Sequence, residues 1–164
     1  MLKSLDLSQV MVIDIETVPQ YASFNDVPPH LQELWELKTH FQRSSDQSAE
    51  EFYEKAGILA EFGKIICISL GIFSYQDKAY SLRIKSIYGD DEKEILEQFA
   101  MLLEKQVPTL MFCAHNGKEF DYPYLCRRLL INGIEIPSQL QIFWQKTLGS
   151  KSLRYYGAVE IRRL

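Results

Sequence analysis

Cysteine is scarce in this chain of 164 residues, and the three present are odd in number. Cys67, Cys113 and Cys126 are widely spaced inside apolar segments. That pattern excludes a disulfide framework or a zinc cluster and suits reduced packing cysteines. Histidine is equally sparse, with His30, His40 and His115 scattered along the chain. No apolar run approaches the roughly 20 residues that span a bilayer, and the Met1-Leu2-Lys3 start leads into no long apolar leader. The expectation is a soluble cytoplasmic protein without a membrane partner. Positive charge is also short: 18 Lys and Arg stand against 22 Asp and Glu, a net charge of −4. A protein coated in positive charge for nonspecific nucleic-acid binding is therefore excluded, although a metal-dependent nuclease can be acidic overall. Repeats and low-complexity segments are absent.

With 46% hydrophobic residues and 12% aromatics, the chain can bury the core of one globular domain. Residues 10–16 read as a first strand, and residues 17–29 as loop by their Pro, Asn and Asp content. Leu31, Leu34, Trp35, Leu37, Lys38 and Phe41 give helical spacing to about Gln42. A short helix over residues 49–56 closes at Gly57. A β-branched strand follows over 65–75, and Gln76-Asp77 turns the chain into a third strand over 79–88. Asp90 is the expected N-cap of a helix to about Lys105, with Ile95, Leu96, Phe99, Leu102 and Leu103 as its apolar stripe. A strand over 109–114 and a helix over 120–132, ended by Asn132-Gly133, complete the pattern. This order implies an α/β fold whose sheet sets antiparallel strands beside parallel ones.

Two acids interrupt the first apolar strand. Strand alternation projects Asp14 and Glu16 from the same face, a few ångströms apart, near the strand's C-terminal end. Like charges so close call for a cation. About a hundred residues later, a second apolar strand ends in His115-Asn116-Gly117-Lys118-Glu119-Phe120-Asp121, with Asp121 on the first turn of a helix. Ligands of α/β sheets gather beyond the carboxyl ends of parallel strands, so both segments would end at one crevice. Oxygen donors without a His or Cys cluster point to Mg²⁺ or Mn²⁺ rather than Zn²⁺. The bland reading is that each acid merely faces water at a strand end.

Asp14-Ile15-Glu16-Thr17 resembles the first motif, and His115-Asn116 followed after three residues by Phe120-Asp121 the second, of the DEDD superfamily of 3′–5′ exonucleases. The strand over 65–74 and the helix start Asp121-Tyr122-Pro123-Tyr124-Leu125 look most like the exonuclease domains of family B DNA polymerases and their stand-alone bacterial relatives. The resemblance covers roughly residues 8–143. It implies an RNase H-like mixed sheet, three antiparallel strands followed by parallel ones, with flanking helices. It also implies four carboxylates holding two metal ions about 4 Å apart, which stabilise the attacking and leaving oxygens of phosphodiester cleavage. By motif, Asp14 would bridge both ions, Glu16 would support one and Asp121 would help hold the other. Thr17, Asn116 and Phe120 are the substrate-side candidates, with core packing the rival role for Phe120. The implied partners are single-stranded DNA or other 3′ ends, RNA included. For His115 a structural or solvent-facing imidazole is the rival reading to catalysis. For Lys118, Arg127 and Arg128 a solvated helix face is the rival to phosphate contact.

The family's third motif, a Tyr or His four residues before a fourth Asp, has no good match. Tyr156 and Glu160 imitate its spacing with the wrong acid, and Gly157 weakens a helix there. Composition also breaks at Trp144: the last 21 residues carry five Lys and Arg and one acid, leaving −8 for residues 1–143. Back-translated and read one nucleotide later, this tail can yield a family-like acid-bearing segment. The expectation is an incomplete exonuclease domain over 1–143, followed by an atypical basic tail over 144–164 produced by a frameshift. Such a chain would have impaired activity and a sheet edge, beside residues 109–114, that the tail or a neighbouring copy must cover. A catalytically silent nucleic-acid-binding or interaction domain of the same fold is the alternative.

Overall fold

The computed structural model describes residues 5–107, 109–147 and 158–160. Two compact units emerge, one formed by residues 1–16 and 66–164 and the other by Thr17–Ile65. The second unit is the segment between the first two strands, long and aromatic enough to form a core of its own.

In the first unit the strand order is β3-β2-β1-β4-β5. Strand β1, Val10–Pro19, buries Met11, Ile13 and Ile15 and exposes Asp14 and Glu16, the alternation that its sequence dictates. It continues past residue 16 because the chain still pairs beyond its end, the Gln20 amide donating to the Phe62 carbonyl at 2.9 Å. Strand β2, Gly63–Gln76, and strand β3, Ala79–Tyr88, form an antiparallel hairpin in register from Cys67 against Tyr88 to Gln76 against Ala79. Asp77 and Lys78 make its turn, with φ of 51° and 63°. Two left-handed residues match the twist of a tight hairpin, which moves the turn one residue beyond its expected place.

Helix α3, Glu92–Glu104, is capped by Asp91 rather than Asp90, the Asp91 carboxylate accepting from the amides of Lys93 and Glu94. Its residues Ile95, Leu96, Phe99 and Leu103 are fully buried. Strand β4, Met111–Ala114, runs parallel to β1, placing Val12 beside Cys113. Helix α4, Asp121–Ile131, ends at Asn132, and Gly133 takes the left-handed conformation at φ 71°. Helix α5, Ser138–Thr147, was not foreseen from the sequence. Strand β5, Ala158–Glu160, lies parallel to β4. The edge beside residues 109–114, expected to be covered by the tail or by a neighbouring copy, carries a piece of the basic tail, and β3 is the other outer strand. Tyr156 and Gly157 lie outside the described residues.

The three helices of this unit are tied together by buried polar contacts. Arg128 of α4 forms a two-pronged ion pair with Glu92 of α3, its Nε donating to Oε1 at 2.8 Å. Asn132 donates to the same Glu92 at 3.0 Å. Gln139 of α5 donates to the Leu103 carbonyl at 2.9 Å. Arg128 is therefore a buried structural cation and not part of a solvated face, which corrects the reading of the α4 basic pair.

The second unit is built around Trp35. Helix α1, Pro29–Thr39, and helix α2, Ala49–Phe52, each give way to a tighter 3-10 turn, over His40–Gln42 and Tyr53–Ile58. The Trp35 ring meets Phe62 edge-on at 5.0 Å and Tyr53 at 5.3 Å, while its indole N–H donates to the Ala49 carbonyl at 2.8 Å. Val27, Phe52 and Ala56 complete this core. No helix among the described residues is long and apolar enough to cross a membrane.

Candidate active site

The loop between β4 and α4 brings an acid back to β1. Asn116 takes the left-handed conformation at φ 56°, and its carbonyl accepts from the amides of Glu119 and Phe120 at 3.0 and 3.1 Å. The Gly117 carbonyl then accepts from Tyr122 at 2.8 Å. Gly117 itself is sterically required. A β-carbon there would lie 2.5 Å from that of Ala114 and 2.8 Å from the Tyr122 ring. The loop thus closes tightly over Tyr122, whose ring packs on Phe112 and on Phe143 at centroid distances of 5.9 and 4.3 Å. Asp121 follows as the first residue of α4.

Asp121 is 3% exposed. Burial pushes its carboxyl from the ordinary 3.8 up to about 6, and the nearby charge of Asp14 pushes in the same direction. Its own amide, the Ile15 amide and the charge of His115 pull the other way. The Ile15 contact joins the start of α4 to the middle of β1, between the two acids of the first motif. Asp14 and Asp121 therefore share one electrostatic environment, although they lie far apart in the chain. Glu16 is exposed on the same face of β1 as Asp14.

The remaining candidates divide. Asn116 and His115 are exposed at the mouth of the loop. Phe120 is half-buried, its ring 5.3 Å from that of buried Tyr124, an arrangement between the core and stacking roles. Thr17 is half-buried on β1 and belongs to the other compact unit. Gly117 and Tyr122 were missed in the sequence. The Asn-Gly pair was a turn signal, but only the fold reveals that the ring of Tyr122 fills the space a side chain would need.

A hard divalent cation fits the donor type here. The acids offer only oxygen, and a cation would relieve the repulsion and desolvation that hold Asp121 toward its neutral form. Among the described residues, however, no three His, Cys, Asp or Glu side chains close into a group able to hold a metal.

A family model described as a predicted 3′–5′ exonuclease related to the exonuclease domain of PolB matches residues 58–155. The chain belongs to this family. Asn116, Phe120 and Asp121 of this PolB-exonuclease-related chain lie inside the matched segment, whereas Asp14 and Glu16 precede it. The match also runs past Phe143 into the basic segment. Among solved structures, the chain is similar to the family B DNA polymerase from the hyperthermophilic archaeon Pyrobaculum calidifontis, with 15% identity and a TM-score of 0.38. That likeness covers 76% of this chain and 11% of the polymerase, so the chain spans about a tenth of the polymerase's length. No curated protein matches it.

Proposed function

We propose that this chain hydrolyses the terminal phosphodiester of single-stranded nucleic acid, DNA foremost, from the 3′ end, with Mg²⁺ or Mn²⁺ held by Asp14 and Asp121. The observation that carries this reading is the convergence of those two carboxylates, Asp14 exposed on β1 and Asp121 buried and resisting ionisation at the start of α4, after the parallel strand β4. A divalent cation bound there supplies charge to stabilise the phosphoryl oxygens and lowers the pKa of an attacking water. Asp14 and Asp121 would hold it, and Glu16 would add negative charge on the same face. Asn116, fixed in its left-handed turn, presents an amide at the loop mouth where a terminal nucleotide would enter. The family's third motif, which would supply a fourth carboxylate, has no good match in the sequence, so the cation is weakly held. Turnover is accordingly slow.

Hydrolysis of a 5′-labelled single-stranded oligonucleotide by the purified chain tests this. Slow shortening from the 3′ end that needs Mg²⁺ or Mn²⁺, stops with EDTA and drops at least 100-fold in Asp14→Asn is expected. Shortening that is indifferent to both EDTA and Asp14→Asn would rule the assignment out.

A further inference from the structure

The face of the sheet that carries Asp14 and Glu16 extends across β2 onto β3. A β-carbon on Gly71 would lie 3.4 Å from that of Val12, which fixes Gly71 on the same face as Val12, Asp14 and Glu16. Gly71 is paired with Ile84, and on the same face Tyr75 pairs with Tyr80 and Cys67 with Tyr88. Five large side chains stand out from this part of the face. Tyr75, Tyr80, Leu82, Ile84 and Tyr88 are between 48% and 77% exposed. The Tyr75 and Tyr80 rings lie 4.8 Å apart at the hairpin end. Exposed apolar and aromatic groups this concentrated mark a binding surface.

Charge narrows the occupant. Arg83 and Lys85 are exposed along β3, where from Ala79 to Tyr88 there is no acid, while Lys78 and Asp77 offset one another in the turn. Alternation sets Arg83 and Lys85 on the opposite side of the outer strand from Tyr80, Leu82 and Ile84. Aromatic groups on one side and cations along the rim are the combination that takes bases and phosphates of a single strand. The same cations oppose addition of another β-strand, since charged edges are how sheets resist such pairing.

We propose that β3 and the adjoining face of β2 form a stacking platform for single-stranded nucleic acid. Bases lie on Tyr75, Tyr80 and Tyr88, and Arg83 and Lys85, on the other face of this outer strand, reach the phosphates around its edge. From Tyr80 to Tyr88 the platform is about 27 Å long, room for a few nucleotides. Tyr88 stands two strands from β1, about 10 Å away laterally, so the platform leads toward the acids. The proposal deepens the exonuclease reading and rests on it for the strand's destination, but the platform itself needs no metal.

The test is fluorescence anisotropy of a labelled single-stranded oligonucleotide with the full chain in EDTA, run beside the hydrolysis assay. Binding by the wild-type chain and by Asp14→Asn is expected, weakened by at least about 30-fold in Tyr80→Ala/Tyr88→Ala and restored in Tyr80→Phe/Tyr88→Phe. Arg83→Gln/Lys85→Gln should lower the slope of log K against log salt by about 1.4. These side chains are exposed, so circular dichroism and Tm of the variants should stay at wild-type values. Unchanged affinity in the Tyr→Ala variant, or no metal-free binding at all, overturns the platform, as does a concentration-dependent dimer abolished by the same substitution. Binding that behaves as expected without metal-dependent hydrolysis would instead sink the exonuclease reading and leave the platform standing.

Discussion

Asp121 concentrates the conflict that defines the site. It is buried, it faces the charge of Asp14, and its carboxyl is raised to about 6. The folded state therefore binds its proton more tightly than the unfolded chain does. The resulting stability is fully present below the unfolded value of 3.8 and is lost as pH rises through about 6. In metal-free buffer, Asp121→Asn should leave Tm little changed near pH 4 and raise it relative to wild type near pH 7. Scanning calorimetry across that range checks this, and a variant that loses Tm steadily as pH rises would contradict it. Asp14 and Glu16 were legible because strand alternation alone puts them on one face. The buried state of Asp121 was not, because it depends on the Ile15 amide and on packing between segments far apart in the chain.

At the level of elements, the β4–α4 loop determines where Asp121 sits. Its path depends on the left-handed Asn116 and on the lack of a side chain at Gly117. Gly117→Ala would drive a methyl into Ala114 and the Tyr122 ring, both held in the core. We expect a loss of about 1–3 kcal/mol in urea unfolding, as for other overpacked sites. Unaltered stability would show that the loop can yield. The apolar periodicity of α3 and the hairpin between β2 and β3 were readable from sequence, with boundaries shifted by a residue or two where cap and turn geometry intervene. Asp91 outcompeted Asp90 as the cap because its carboxylate reaches two amides. The Glu92–Arg128 pair could not be read, since nothing local distinguishes a buried arginine on a helix from a solvated one.

Across the whole molecule, a cation that binds the ionised acids of the native state must stabilise that state by mass action. At 100 times its dissociation constant the gain is about 2.7 kcal/mol, and a chain of this size shifts by about 2–4 °C per kcal/mol. Mg²⁺ or Mn²⁺ titrated to well above its dissociation constant should therefore raise Tm by several degrees at pH 7, with the shift reversed by EDTA and absent in Asp14→Asn. A metal-independent Tm would mean that the two acids hold no ion. The alternation and apolar periodicity of residues 10–132 were enough to specify a mixed α/β sheet and to single out Asp14, Glu16 and Asp121, because those signals are local and repeat along the chain. Tertiary structure alone decided that residues 17–65 form a separate unit, that β5 of the tail lies against β4, and that Asp121 is buried beside Asp14. Each of those outcomes depends on contacts between distant segments, whose free energies no local pattern records.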